Sequence, residues 1–336
     1  MSDPLRVVSI GGGTGLSSLL AGLKKYAGPQ ADGAWVDITA IVTVTDDGGS
    51  SGRLRREFDV LPPGDIRNCM VALSEDEGLL SKLFQYRFQA GHGLKGHSFG
   101  NLFLTALTSI TGDFPEAVKQ SSDVLNIAGR IFPSTAADVS LEAVLEDGRV
   151  VAGETRISRS RRRISEIRIK PARVRPLRET LEAIGQADLI TLGPGSLFTS
   201  VIPNLLVSGI PKAIRQSQAL KAYFVNLMSQ PGETTDFRAS DHVLALRKHA
   251  GGRLLDCVVV SNSPISPAMR RRYAEQNAAP VENDIETLKG MELEVLAADL
   301  LQKGARVRHN PAAIGKVTFD LAKLGRVRKA SHRNFK

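Results

Sequence analysis

Residues 38–68 read ITAIVTVTDDGGSSGRLRREFDVLPPGDIRN, and the reading of this stretch decides the fold. Residues 38–44 are mostly apolar and β-branched, with glycine and serine just downstream, which marks a short buried strand rather than a helix. Polarity then switches at Thr45, Asp46 and Asp47, followed by Gly48, Gly49, Ser50, Ser51 and Gly52, and then by Arg53, Arg55 and Arg56. Open α/β sheets bind ligands beyond the carboxyl ends of their strands, where this loop falls. Carboxylates accept from hydroxyls or hold a hard cation, glycines let backbone N–H groups close on a ligand, and arginines recognise phosphate with paired donors. The competing reading is a solvated turn leading into a charged surface helix.

Upstream, a strand over residues 6–10 runs into Gly11, Gly12, Gly13, Thr14 and Gly15, and then Leu16, Leu19, Leu20 and Leu23 recur at helical spacing. Backbone donors and the helix dipole make such a turn an anion site. Leu16 stands where a G-x-G-x-x-G fingerprint needs its third glycine, and no Gly-Lys-Ser/Thr follows, so the turn suits phosphate or sugar without specifying NAD or ATP. A tight turn with no ligand is the alternative. Downstream, PPGDIRN at 62–68 predicts a rigid turn before a helix over 69–74, with Asp65 as its cap. GHGLKGHSFG at 91–100 precedes a helix over 101–110, and His97 and Asn101, four apart, serve there either as caps or as ligand contacts.

Residues 139–155 alternate with period two around Asp147-Gly148, a hairpin, and Ile164, Ile167 and Ile169 suggest a third strand. This is a small β insertion, about 138–171, with a basic loop at 159–163. Beyond it the strand–glycine–helix pattern returns. A helix over 176–187 leads to a strand at 188–192 and then to Gly193-Pro194-Gly195-Ser196, where Ser196 is suited to cap the next helix. Strands over 222–227 and 254–260 follow, then helix starts at Ser266-Pro267 and Asn310-Pro311. The expected architecture is α/β: a mostly parallel sheet in a domain over 1–325, with a basic disordered tail at 326–336.

The 336 residues carry a net charge of +9. Residues 159–178 account for +8 and the tail for +5, which leaves −4 for the remainder. Basicity is therefore peripheral, and no aromatic interleaving accompanies it, which argues against nucleic acid. RNA or acidic-membrane scaffolding through these segments is the weakest reading. Cys69 and Cys257 are the only cysteines, too few and too far apart for a disulfide framework or zinc site, and the histidines show no ligand spacing. No apolar run approaches the ~20 residues of a membrane span. The opening MSDPLRVVSIGGG lacks a signal-peptide pattern, so the cytoplasm is expected.

Taken together, these motifs resemble the bacterial gluconeogenesis factor family, the CofD-like branch related to 2-phospho-L-lactate transferase. GGGTG at 11–15, TVTDDGGSSGRLR at 43–55, PPGDIRN at 62–68, GHSFGN at 96–101, SITGDF at 109–114, LGPGSLFTSVIPNLLV at 192–207 and RHN at 308–310 carry the resemblance, in order, over about residues 5–324. It implies a Rossmann-like three-layer α/β/α fold, commonly dimeric. It also implies binding of nucleotide-sugars such as UDP-N-acetylglucosamine, and a role linking carbon metabolism to cell envelope synthesis and cell shape, with contact to an envelope-precursor enzyme. By resemblance Tyr273 and Arg308 touch the uridine nucleotide. Gly12, Gly13, Thr14, Gly195 and Ser196 then face phosphate or sugar, and Asp46 and Asp47 face hydroxyls. Asn204 is a further candidate beside His97 and Asn101. The leading expectation is a binding regulator that needs no cofactor. The alternative is a transferase of a phosphoryl-linked group, with Asp46 and Asp47 holding Mg²⁺ or the acceptor and Arg53 or Arg308 neutralising phosphate.

Overall fold

The structure, a computed structural model, describes residues 3–28, 33–75 and 78–333. In chain order the first half comprises β1 (Leu5–Gly11), α1 (Gly13–Leu23), β2 (Val36–Val42), α2 (Gly49–Phe58), α3 (Gly64–Leu73), α4 (Leu79–Gln85), α5 (Phe99–Thr111), α6 (Phe114–Val124) and β3 (Arg130–Pro133). The insertion is β4 (Ser140–Leu145), β5 (Val150–Ala152), α7 (Glu154–Arg159) and β6 (Ile164–Lys170). The second half runs α8 (Arg178–Gln186), β7 (Leu189–Leu192), a π-helical turn (Leu197–Val201), α9 (Ile202–Leu206), α10 (Ile210–Gln216), β8 (Leu220–Phe224) and α11 (Ala239–Ala250). It closes with β9 (Cys257–Ser261), α12 (Pro267–Ala274), α13 (Ile285–Gly290), β10 (Glu294–Ala298) and α14 (Pro311–Arg333).

Seven strands form one parallel sheet in the order β10-β9-β8-β7-β1-β2-β3. The chain builds outward from β1 to β3 and then returns to β7 on the other side of β1. The strand order therefore reverses between β1 and β7, the crevice where doubly wound sheets take ligands. Gly11 to Gly15 and Gly193 to Ser196 are the loops that leave these two strands. Val7 and Val8 of β1 pair with Leu189 and Ile190 of β7, and β7 is buried along its whole length, as a central parallel strand requires. On one side α1 packs on α3 and α14, and α14 lies along β1, β7 and β8; α8 to α11 pack together and reach β1 through α8 and α9.

The insertion is a three-stranded antiparallel sheet, β5-β4-β6, turning at Asp147-Gly148 as expected. Its buried residues Leu141, Ala143, Ile157, Ile167 and Ile169 join the main core, so it does not stand apart. Its second strand ends at Ala152, and residues 154–159, expected as strand end and loop, form α7. Many of its basic groups meet acids: Arg162 and Arg149 on Asp147 (3.1 and 2.7 Å), Arg168 on Glu166 (2.9 Å), and Arg163 on Asp236 (3.4 Å). Such surface pairs contribute little stability each but cancel local charge.

The tail expectation is corrected. α14 continues through residues 326–333, because Arg326 and Lys329 lie against buried Asp188 at 2.7 and 3.5 Å; residues 334–336 lie outside the described residues. Asp188 also accepts from the Arg6 N–H (2.9 Å), and Arg326 holds its carboxyl below the usual range against the effect of burial. Arg326→Ala is expected to cost about 1–3 kcal/mol by urea denaturation, the loss of a charge-assisted partner from a buried carboxylate. An unchanged midpoint would mean that Lys329 alone satisfies Asp188.

Among the described residues no single helix is long and apolar enough to cross a membrane; the apolar pair Leu197–Leu206 and Ile210–Gln216 is bent by 80°. Cys69 and Cys257 are free and buried.

Candidate functional site

The two glycine turns meet at the switch point. α1 begins inside the first of them, at Gly13 with φ +62, rather than beyond it. A Cβ on Gly15 would stand 2.3 Å from the carbonyl oxygen of Pro194, so the loops touch only because residue 15 has no side chain. The pair lines a cleft of about 220 Å³ whose further walls are Asn226, Gln230, Arg308 and His309. Gly195 donates its N–H to Asn226 Oδ1 (3.3 Å), and Gln230 Nε2 donates to Ser196 Oγ (2.7 Å). The Ser196 side chain therefore does not cap the following turn, contrary to expectation, and it faces the cleft as an acceptor for Gln230. Arg308 is exposed at the cleft and makes no ion pair among the described residues. His309 Nε2 donates to the Val225 carbonyl (3.2 Å), and burial pulls its pKa down to about 4, so it is neutral at physiological pH. The cleft thus offers backbone N–H groups at a helix start, amide side chains and one cation, a set suited to a diphosphate with attached hydroxyls.

Behind the glycines lies a group of carboxylates. Asp65 is not a cap: α3 starts at Gly64, and the Asp65 carboxylate instead accepts the Gly13 N–H, close enough that a Cβ on Gly12 would stand 2.6 Å from its Oδ2. Burial, and secondarily the Asp46 charge, pushes the Asp65 pKa up to about 6. Glu154, from the insertion, is pushed up to about 9 by burial and then by Asp46, Asp65, Glu233 and Asp47. Glu233 rises to about 7 by burial, although Ser158 and Thr199 hydroxyls donate to its Oε1 (both 3.3 Å). Asp46 Oδ1 accepts from Gly48 N–H (2.8 Å), and Asp47 Oδ1 accepts both N–H and O–H of Thr155 (2.9 and 2.6 Å), tying the insertion to the β2 loop. Among the described residues no trio of His, Cys, Asp or Glu is placed to hold a metal by itself, so Mg²⁺ held by Asp46 or Asp47 would take its remaining ligands from phosphate or water.

Comparison with known proteins bears on this arrangement. Residues 7–301 match the CofD family, described as 2-phospho-L-lactate transferase CofD. The chain belongs to the CofD family. It is 47% identical over 315 residues to the gluconeogenesis factor of Halalkalibacterium halodurans, covering 94% of this chain and 95% of that one. It is also 47% identical over 324 residues to the gluconeogenesis factor of Bacillus subtilis, covering 96% and 100%. A crystal structure of a Bacillus halodurans protein superposes with a TM-score of 0.89 at 47% identity, covering 95% of this chain and 99% of that one. The CofD-family fold and the resemblance to gluconeogenesis factors read from the motifs are thus both found.

Within this CofD-family fold, the other expected site residues divide into two groups. Gly12, Gly13, Thr14, Gly195, Ser196 and Arg308 line the cleft together. Tyr273 does not line it. The Tyr273 hydroxyl accepts the Val307 N–H (3.0 Å) while its ring packs with Met228 and Ile265, so it braces the segment that presents Arg308. Asn204 is buried, with Nδ2 donating to the carbonyls of Gly11 (3.2 Å) and Ser200 (2.8 Å), and it fastens the end of β1 to α9. Neither His97 nor Asn101 caps α5, since Ser98 does; both bond instead to Ser50 Oγ, at 3.0 and 3.2 Å. Arg53 donates to the Lys95 carbonyl (2.8 Å), away from the cleft. Asn226, Gln230, Asp65, Glu154 and Glu233 had not been singled out as site residues. The first two follow β8, next to β7 in the sheet, so the switch-point rule reaches them once strand order is known.

Proposed function

We propose that the switch-point cleft binds a nucleotide-sugar of the UDP-N-acetylglucosamine type, and that the protein is a ligand-binding regulator linking carbon metabolism to cell envelope synthesis and cell shape. The observation that carries this reading is the contact of two glycine turns across the β1/β7 reversal, with a guanidinium beside them that makes no ion pair among the described residues. In this reading Gly12, Gly13, Thr14, Gly195 and Ser196 face the diphosphate and Arg308 neutralises it. Tyr273 acts through Val307 to hold Arg308 in place.

Calorimetric titration with UDP-N-acetylglucosamine tests the reading. Wild type is expected to bind saturably with the ligand recovered intact. Arg308→Ala is expected to weaken binding by a factor of about 10–100, the worth of a charge-assisted bond to phosphate. Tyr273→Phe, which deletes only the hydroxyl, is expected to weaken it less than Arg308→Ala. Absence of binding would overturn the reading. Consumption of the ligand during the titration would transfer the protein to the transferase alternative.

A further inference from the structure

Beside Asp65, on the side of α2, α3 and α5, lies a cluster that the nucleotide-sugar reading does not use. Segment 86–98 folds back on itself, with Arg87 bridged to Ser98 and the Phe88 N–H donated to the His97 carbonyl (3.0 Å). Arg87 Nη1 reaches the Gly96 carbonyl (2.5 Å) and Arg53 Nη2 the adjoining Lys95 carbonyl (2.8 Å), so these two arginines grip the same turn. Beneath them Arg67 Nε donates to Asn101 Oδ1 (3.3 Å), Asn101 Nδ2 to Ser50 Oγ (3.2 Å), and Ser50 Oγ meets His97 Nδ1 (3.0 Å). Each guanidinium is therefore fixed by one nitrogen and keeps other N–H donors in hand.

None of Arg53, Arg67 and Arg87 forms an ion pair with a carboxylate among the described residues, whereas Arg55, Arg130, Arg149 and Arg168 each do. The cations feel one another. Burial and then Arg87 depress the Arg67 pKa, and burial followed by Arg53 and Arg87 depresses that of His97. The carboxylates that oppose this are Asp65, acting on Arg67, and Glu57, acting on His97. Guanidiniums held together by neutral partners, with Arg53 and Arg67 half-buried and Arg87 exposed above them, are stabilised by an anion that can accept from several of them at once.

We propose that Arg53, Arg67 and Arg87 form a second anion subsite, separate from the glycine-lined cleft, that takes a phosphate group, either free or carried by a small molecule. Phosphate fits better than a single carboxylate, because it carries more than one negative charge on average at neutral pH and its oxygens project in more than one plane, so that it can accept from guanidiniums on different sides. The subsite does not depend on which ligand fills the cleft.

The test is calorimetric titration of the full chain with orthophosphate, and separately with methyl phosphate, at ionic strength held constant with sodium chloride. The background is Arg308→Ala, which removes the cation of the first cleft. Saturable phosphate binding is expected to persist in that background and to weaken about tenfold on adding Arg53→Met or Arg87→Met, with folding checked by circular dichroism. Arg67 is left intact because it is the more buried of the three. Tighter binding of methyl phosphate than of orthophosphate assigns the site to a phosphorylated small molecule; the reverse order assigns it to the free ion. No saturable binding in Arg308→Ala, or binding that neither methionine variant weakens, would overturn the subsite while leaving the nucleotide-sugar result untouched.

Discussion

Gly315→Ala is expected to destabilise the protein by about 3 kcal/mol or more, with a clear fall in the urea midpoint. α1 and α14 cross at glycines: a Cβ on Gly315 would lie 2.3 Å from the carbonyl carbon of Gly22, and one on Gly22 would lie 1.7 Å from the Pro311 oxygen. Both obstacles are backbone, so no side-chain rotation relieves them, and the helices must separate. Overpacking in a well-packed core costs typically 1–3 kcal/mol, and a clash with a rigid helix backbone falls at or above the top of that range. Gly290→Ala, at a helix position where a Cβ meets nothing within 4 Å, provides the control and is expected to leave the midpoint nearly unchanged. Equal midpoints for Gly315→Ala and wild type would mean that the helices do not cross this closely.

The second large effect is on pH. Glu233 and Glu154 have folded-state pKa values of about 7 and about 9 against an ordinary 4.5, so the native state holds protons that the unfolded chain releases. Stability from a raised carboxyl is fully present below the unfolded value and is lost as pH climbs through the folded one. Asp65 adds to this between its ordinary 3.8 and about 6. The denaturation midpoint is therefore expected to fall from pH 5 to pH 9, with Glu233 alone contributing on the order of 3 kcal/mol. Glu233→Gln and Glu154→Gln keep the shape and remove the charge. Each is expected to flatten the profile and to raise stability at pH 8–9 relative to wild type. A wild-type midpoint that stays level or rises across this range would show that these carboxylates are not held protonated.

The β1 and β7 loops were legible because their glycines, flanking apolar runs and following helical periodicity all point the same way. Contact between GGGTG and GPGS required only that two strand ends be neighbours. Asp65 was misread for a definable reason. A cap must precede the helix, but Gly64 already belongs to α3, which turns the carboxylate inward toward Gly13. Ser196 was misread because the next element is a π turn, and Gln230, distant in sequence, claims its hydroxyl. The basic run after Gly325 read as solvated, yet Arg326 and Lys329 belong to a helix aimed at one buried carboxylate. β3 and β10 lie at the two edges of the sheet, where one-sided burial leaves a weak apolar signal. Glu154 carries no local mark of a site, since its position depends on how the insertion docks through Thr155 and Asp47.

The crossing of α1 and α14 also bears on how the chain is made. α1 has its partner in α14, far later in the chain, and β7 and Arg308 emerge long after the turn they complete. Most neighbours of β1 are thus absent for much of synthesis, and a parallel sheet with such distant pairings closes slowly. A nascent chain released short of α14 would present an uncovered apolar face and no finished cleft, a substrate for chaperones rather than a receptor for ligand.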